Sequence, residues 1–157
     1  AASGWRGLWI WVSGDPDTHS AAYLRKVVAI DGEVGKGRLV AAADNGATVY
    51  VNGKQALWAG NWDRPFTADI TSLLRPGENV IAAVGQNAGG PAGVVIQGSI
   101  EAGGKTHVFG TGRAWRASET PQEGWMLPGF DDTDWRSATE LGAPPCEPWG
   151  DIGAPGL

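Results

Sequence analysis

Short apolar runs broken by glycine and proline constrain this chain more than any other feature. Segments 9–12, 21–30, 38–43, 47–51, 55–59, 66–68, 80–84, 93–100 and 106–109 carry the Val, Ile, Ala, Thr and aromatic residues. Glycine and proline, 25 and 10 of the 157 residues, are concentrated around them. Runs of this length are short for helices, and β-branched residues suit a pleated, half-buried surface. Turn residues at such spacing predict a many-turned all-β domain.

Several local expectations follow. Asn52-Gly53 joins two alternating runs and is a strong hairpin signal, because both central residues of such a turn need positive φ. The continuous apolar run 80–84 predicts a central strand, with 93–100 as its partner. A short helix is expected over 70–74, capped by Asp69 and stopped by Arg75-Pro76-Gly77. Trp115 is expected in a strand, and His107 in another. Phe130-Asp131-Asp132-Thr133-Asp134-Trp135 reads as an acidic turn pinned by two aromatics. The domain is expected to occupy residues 1–149, with 150–157 as a linker remnant.

Composition narrows the function. A net charge of −5 opposes nucleic-acid binding, which needs a basic surface to neutralise phosphates. No apolar run approaches the 18 residues of a membrane-spanning helix. The single cysteine, Cys146, rules out an internal disulfide and a cysteine-based zinc cluster. Nine tryptophans exceed what turns need. Six or seven are expected in core or turn packing, leaving two or three indole faces for a surface, where they suit sugar stacking.

Motifs for catalysis are weak. Gly103-Gly104-Lys105-Thr106 ends like a phosphate-binding loop, but Ser99 stands where the first glycine belongs and a strand follows. No Gly-x-Ser-x-Gly elbow is present. His19 and His107 have no partners that the sequence singles out. Asp15, Asp17, Asp63, Asp131, Asp132 and Asp134 are candidates for a glycosidase-type carboxylate pair. All fall in predicted turns, where aspartate ordinarily bonds its own backbone.

Two polar corners remain. Asp44-Asn45-Gly46 closes one apolar run, and Gln86-Asn87-Ala88-Gly89-Gly90-Pro91-Ala92-Gly93 fills the gap between two others. Each alone is ordinary turn chemistry. Together they offer carboxylate, amide and main-chain oxygens beside flexible glycines, the supply a hard cation such as calcium requires.

The motifs Tyr23-Leu24-Arg25-Lys26, Ala43-Asp44-Asn45, Val49-Tyr50-Val51-Asn52-Gly53-Lys54, the stretch 69–79 and the stretch 87–93 extend the argument. Their series resembles the galactose-binding-like β-sandwich modules attached to bacterial glycoside hydrolases, which implies an all-β fold, an antiparallel β-sandwich of jelly-roll type. It is most similar to the calcium-dependent rhamnose-binding modules, carbohydrate-binding module family 67, of α-L-rhamnosidases. Trp125 followed by 130–135 is similar to a segment common in glycosidase sugar-binding domains. The resemblance implies calcium held by Asp44, Asn45, Asn87 and the main-chain oxygen of Ala92 or Pro91, with sugar hydroxyls completing the shell. It implies a tryptophan beside the sugar, Trp62 first and Trp58 second.

One carboxylate and two amides carry little charge, so calcium affinity is expected at about 10⁻⁴–10⁻³ M, suited to an extracellular setting. The resulting expectation is a non-catalytic carbohydrate-binding module, monomeric and secreted or at the cell surface. It would be fused to a catalytic domain that it holds near polysaccharide. A structural spacer or protein-docking domain is the alternative, and a glycan-active enzyme the third reading.

Overall fold

A computed structural model describes residues 4–15, 20–153 and 155. Asp17 and His19 lie outside the described residues. Twelve strands are described: β1 (Trp9–Trp11), β2 (Ala21–Ile30), β3 (Val34–Asp44), β4 (Gly46–Val51), β5 (Lys54–Ala59), β6 (Phe66–Asp69), β7 (Gly77–Gln86), β8 (Gly93–Ala102), β9 (Lys105–Gly110), β10 (Arg116–Ser118), β11 (Arg136–Ser137) and β12 (Thr139–Gly142). They form two antiparallel sheets. The first runs β12-β1-β8-β3-β6, with β9 also paired to β8, and the second runs β11-β10-β2-β7-β4-β5. The all-β domain expected from the turn spacing, and the sandwich implied by the resemblance, are the fold.

Between the sheets, alternate residues interdigitate. Leu39, Ala41 and Ala43 of β3 share a core with Val49 and Val51 of β4, Ile81 and Ala83 of β7, and Val94 and Ile96 of β8. The intervening residues would normally face water in an antiparallel sheet. Here both outer faces are partly covered. Trp9, Trp149 and Ile152 pack with Ala42 and Val95 outside the first sheet. Trp125 and Trp135 cover Val80 and Ala82 outside the second. Burial on both faces explains why 80–84 and 94–96 read as continuous apolar runs rather than alternating ones. Six of the nine tryptophans are buried: Trp9, Trp11, Trp115, Trp125, Trp135 and Trp149.

The Asn52-Gly53 turn joins β4 to β5 with φ of 51° and 83°, as a hairpin of this composition requires. Asn52 also braces the core edge. Its Nδ2 donates to the Leu73 carbonyl and to Asn79 Oδ1, each at 2.9 Å, while its Oδ1 accepts from Val80 N at 2.9 Å.

Four expectations are corrected or refined. Segment 93–100 does not pair with 80–84: β7 pairs with β2 and β4, whereas β8 pairs with β1, β3 and β9. Residues 87–92 carry the chain from one sheet to the other, a sandwich crossing that apolar patterning cannot distinguish from a hairpin. The expected helix over 70–74 is a single 3₁₀ turn, Thr71–Leu73. Asp69 Oδ1 nevertheless accepts from Thr71 N at 2.9 Å and from Thr71 Oγ1 at 2.6 Å. Trp115 sits in the bend just before β10, where its N–H reaches the Gly112 carbonyl at 3.0 Å. The chain beyond Trp149 also continues as packed structure, since Ile152 is buried in the outer cluster and the Gly153 carbonyl accepts from Trp5 Nε1 at 2.7 Å.

Candidate functional site

The two sheet crossings lie side by side at one end of the sandwich, and strand register explains why. In the first sheet β3 pairs with β8 so that Asp44 stands opposite Gly93. In the second, β4 pairs with β7 so that Gly46 stands opposite Gln86. The two connections between these paired positions, Asn45 alone and 87–92, must therefore run adjacent. Hydrogen bonds fasten them: Asn45 N donates to the Gln86 carbonyl at 2.9 Å, and Asn45 Oδ1 accepts from Ala88 N at 2.7 Å. The corners that the sequence singled out are one structure.

Each candidate oxygen donor has a defined place. Asp44 ends β3 on the outer face of its sheet and is 8% exposed. Its Oδ2 accepts from Trp149 Nε1 at 2.9 Å, and its Oδ1 accepts nothing among the described residues. Burial pushes the Asp44 carboxyl above its ordinary pKa, and the Trp149 hydrogen bond pulls it partly back. Asn45 is exposed. Asn87 N donates to the Ser20 carbonyl at 2.8 Å, Asn87 Oδ1 accepts from Gly89 N at 3.1 Å, and Nδ2 donates to the Gly90 carbonyl at 3.2 Å. Ala92 is buried immediately before Gly93.

The chemistry of this set fits a hard cation. A carbonyl or carboxylate oxygen has two lone pairs, so the Asn45 amide oxygen keeps one after its bond from Ala88 N. Asp44 supplies the negative charge. No group of three or more His, Cys, Asp or Glu able to hold a metal occurs among the described residues, so a cation here relies on amide and main-chain oxygens. Those are ligands for calcium rather than for zinc.

Both candidate tryptophans are exposed, Trp58 by 49% and Trp62 by 40%. Trp58 points outward from β5, and its ring lies across two glycines. A methyl group at Gly46 would come within 2.6 Å of the ring, as would one at Gly60. Gly46 follows Asn45 directly, so this indole is beside the oxygen-bearing corner. The loop that carries Trp62 is tied to the same corner, because the Asn61 carbonyl accepts from Ala43 N at 3.1 Å. A cleft of about 280 Å³ opens nearby, lined by Gly14, Pro91, Ala92, Leu141, Glu147, Pro148 and Trp149. A larger one, about 510 Å³, is bordered by 33–35 and 101–106 at the far ends of β3 and β8 and contains none of the candidates.

Of the remaining acids, Asp131 and Asp132 have local side-chain partners, and Asp63 is engaged through its main-chain N. Asp131 Oδ1 accepts from Thr133 N at 3.0 Å, and Asp63 N donates to Asn61 Oδ1 at 3.1 Å. Asp132 pairs with Arg25, which is 1% exposed and also donates to the Trp125 and Leu127 carbonyls. His107 is in β9. Two contacts at this corner have no signal in the sequence. Trp149 stands at the expected end of the domain, and its contact with Asp44 spans 105 positions. The glycine seat under Trp58 was legible only as turn composition.

No family model matches the chain. It is 31% identical over 92% of its length to an α-L-rhamnosidase of Streptomyces avermitilis, of which it spans 15%. The crystal structure of that organism's α-L-rhamnosidase complexed with L-rhamnose superposes over 98% of the chain, with a TM-score of 0.86 and 27% identity, again across 16% of the larger protein. It is a lectin-like β-sandwich of the kind found in α-L-rhamnosidases. The rhamnosidase-type sandwich recurs in the GH78 enzyme of Bacillus sp. GL1, with a TM-score of 0.77, 26% identity, 94% of this chain and 19% of that one. A Pleurotus ostreatus lectin in complex with GalNAc gives 0.80 and 26% identity over 94% of this chain and 46% of the lectin. These likenesses bear on a sugar-binding sandwich, and the enzymes concerned are several times longer than the chain.

Proposed function

We propose that this sandwich is a non-catalytic carbohydrate-binding module whose ligand sits at the 44–46 and 86–93 corner, with calcium as a bridge. The observation that carries the reading is convergence. Asp44, Asn45, Asn87 and the 91–92 main chain meet at one end of the fold, beside an exposed indole on a glycine seat. In this reading Asp44, Asn45 and Asn87 hold the ion through side-chain oxygens, and Ala92 or Pro91 adds a carbonyl. Calcium supplies two or more open positions that vicinal hydroxyls can occupy. Trp58, with Trp62 from the tethered loop, offers an apolar face to the sugar ring, the amphipathic contact for which indoles are suited.

Rhamnose or a related sugar is the ligand class favoured by the likeness to a rhamnosidase solved with L-rhamnose. A module of this sort does no chemistry on its ligand and acts by holding a parent enzyme near polysaccharide. An expected calcium Kd of about 10⁻⁴–10⁻³ M is that of extracellular modules and supports a secreted or cell-surface setting. A glycan array probed with calcium, then again with chelator, tests the reading. Binding to rhamnose-bearing or related glycans that disappears with chelator supports it. Silence under both conditions would favour the spacer or docking role, and release of reducing sugar from polysaccharide would show an enzyme.

A further inference from the structure

We infer that Trp149 is a positioning residue of the cation corner: its indole N–H holds one oxygen of Asp44 so that the other serves the ion. This rests on the proposed calcium site and adds to it a residue that comes from the far end of the chain.

The geometry is specific to the nitrogen. Trp149 is buried on the outer face of the first sheet, stacked on Trp9 with ring centroids 4.2 Å apart and planes 18° from parallel. Its seat is cut to the ring. A methyl group at Gly93 would come within 3.0 Å of the Trp149 ring and of Trp9, so only glycine at 93 lets the indole lie against β8. From that seat Nε1 meets Asp44 Oδ2 at 2.9 Å. Its stacking partner offers a built-in comparison. Trp9 Nε1 is buried with no hydrogen-bond partner among the described residues, so of the two stacked rings it is Trp149 that bonds Asp44.

The consequence for a cation follows from the carboxylate's freedom. Asp44 closes β3 at a corner, where χ rotation could turn either oxygen toward or away from Asn45 and Asn87. A neutral donor on Oδ2 removes that freedom without adding a positive charge that would repel the ion. Removing a group that orients a metal ligand in this way typically costs about 10- to 100-fold in metal affinity or activity. The 146–152 strap, which carries Trp149 and Ile152 onto the sheet, is therefore part of the binding apparatus.

The test compares Trp149→Phe with Trp9→Phe, both of which keep an aromatic ring in the stack. Calcium affinity is measured by calorimetry on each folded variant, with thermal midpoints in chelator recorded alongside. Trp149→Phe should raise the calcium Kd about tenfold or more, while Trp9→Phe leaves it unchanged whatever either does to the midpoint. In ¹H–¹⁵N spectra of the wild type, the indole signal missing from Trp149→Phe should shift on calcium addition. Equal Kd values for Trp149→Phe and wild type, or equal losses in both variants, would overturn the positioning role while leaving the calcium site standing. A wild type that binds no calcium would overturn both.

Discussion

Replacing Asp44 by Asn separates the charge from the hydrogen bond, because the amide oxygen can still accept from Trp149. With one carboxylate and two amides as side-chain ligands, calcium affinity should lie near 10⁻⁴–10⁻³ M. At about 10 mM calcium, binding to the folded state alone stabilises it by RT ln(1 + [L]/Kd), about 1.4–2.7 kcal/mol. For a domain of this size each kcal/mol moves the midpoint by about 2–4 °C, so wild-type protein should melt about 3–11 °C higher than in chelator. Asp44→Asn should show a rise under about 2 °C.

The metal-free comparison has a definite sign. Burial raises the Asp44 carboxyl above its ordinary pKa in the folded state, so ionised Asp44 opposes folding at neutral pH. That penalty fades as pH falls through the folded-state pKa and is gone below the unfolded-state value. In chelator at neutral pH, Asp44→Asn should therefore be at least as stable as wild type, with the difference closing on acidification. Differential scanning fluorimetry across pH, with and without calcium, measures all of this. An undiminished calcium shift in Asp44→Asn would refute the assignment of Asp44 as the charged ligand, and a large loss of metal-free stability would show its charge to be structural.

Two further outcomes are expected. Gly46→Ala would place a methyl group within 2.6 Å of the Trp58 ring, displacing the indole from its seat. Like Trp58→Ala, it should weaken glycan binding while leaving calcium affinity nearly intact, and calorimetry with each ligand separates the two effects. Arg25→Met removes a fully buried guanidinium that pairs with Asp132 and serves the Trp125 and Leu127 carbonyls. Since the Asp132 side chain keeps 23% exposure, the cost should be about 2–4 kcal/mol, somewhat below the roughly 3–5 kcal/mol of fully buried pairs. Urea unfolding reads it, and a change below about 1 kcal/mol would mean that water replaces the pair.

The turn spacing, the Asn52-Gly53 hairpin and the strands 21–30 and 47–51 were legible because each depends on local chemistry. Sheet membership was not. Residues 80–84 and 93–100 are neighbours in sequence, the second opening on the apolar run 94–96, and burial of both faces erased the alternation that would have separated a crossing from a hairpin. The corner residues were found by residue type, and their adjacency emerges from two registers, Asp44 opposite Gly93 and Gly46 opposite Gln86. Trp149 could not have been assigned to Asp44, because nothing local in Pro148-Trp149-Gly150 points to a strand edge 105 residues earlier. Trp58 read as one of two exposed aromatics until the glycines at 46 and 60 were seen beneath its ring.

The central claim is that calcium and sugar share one site at this corner. Titration of L-rhamnose, and of rhamnose-terminated oligosaccharides, into wild-type protein by calorimetry tests it most directly when run with calcium and repeated in chelator. Saturable binding with calcium and none in chelator is the predicted result. Equal binding in both conditions would contradict it, since the sugar would then be held without the ion.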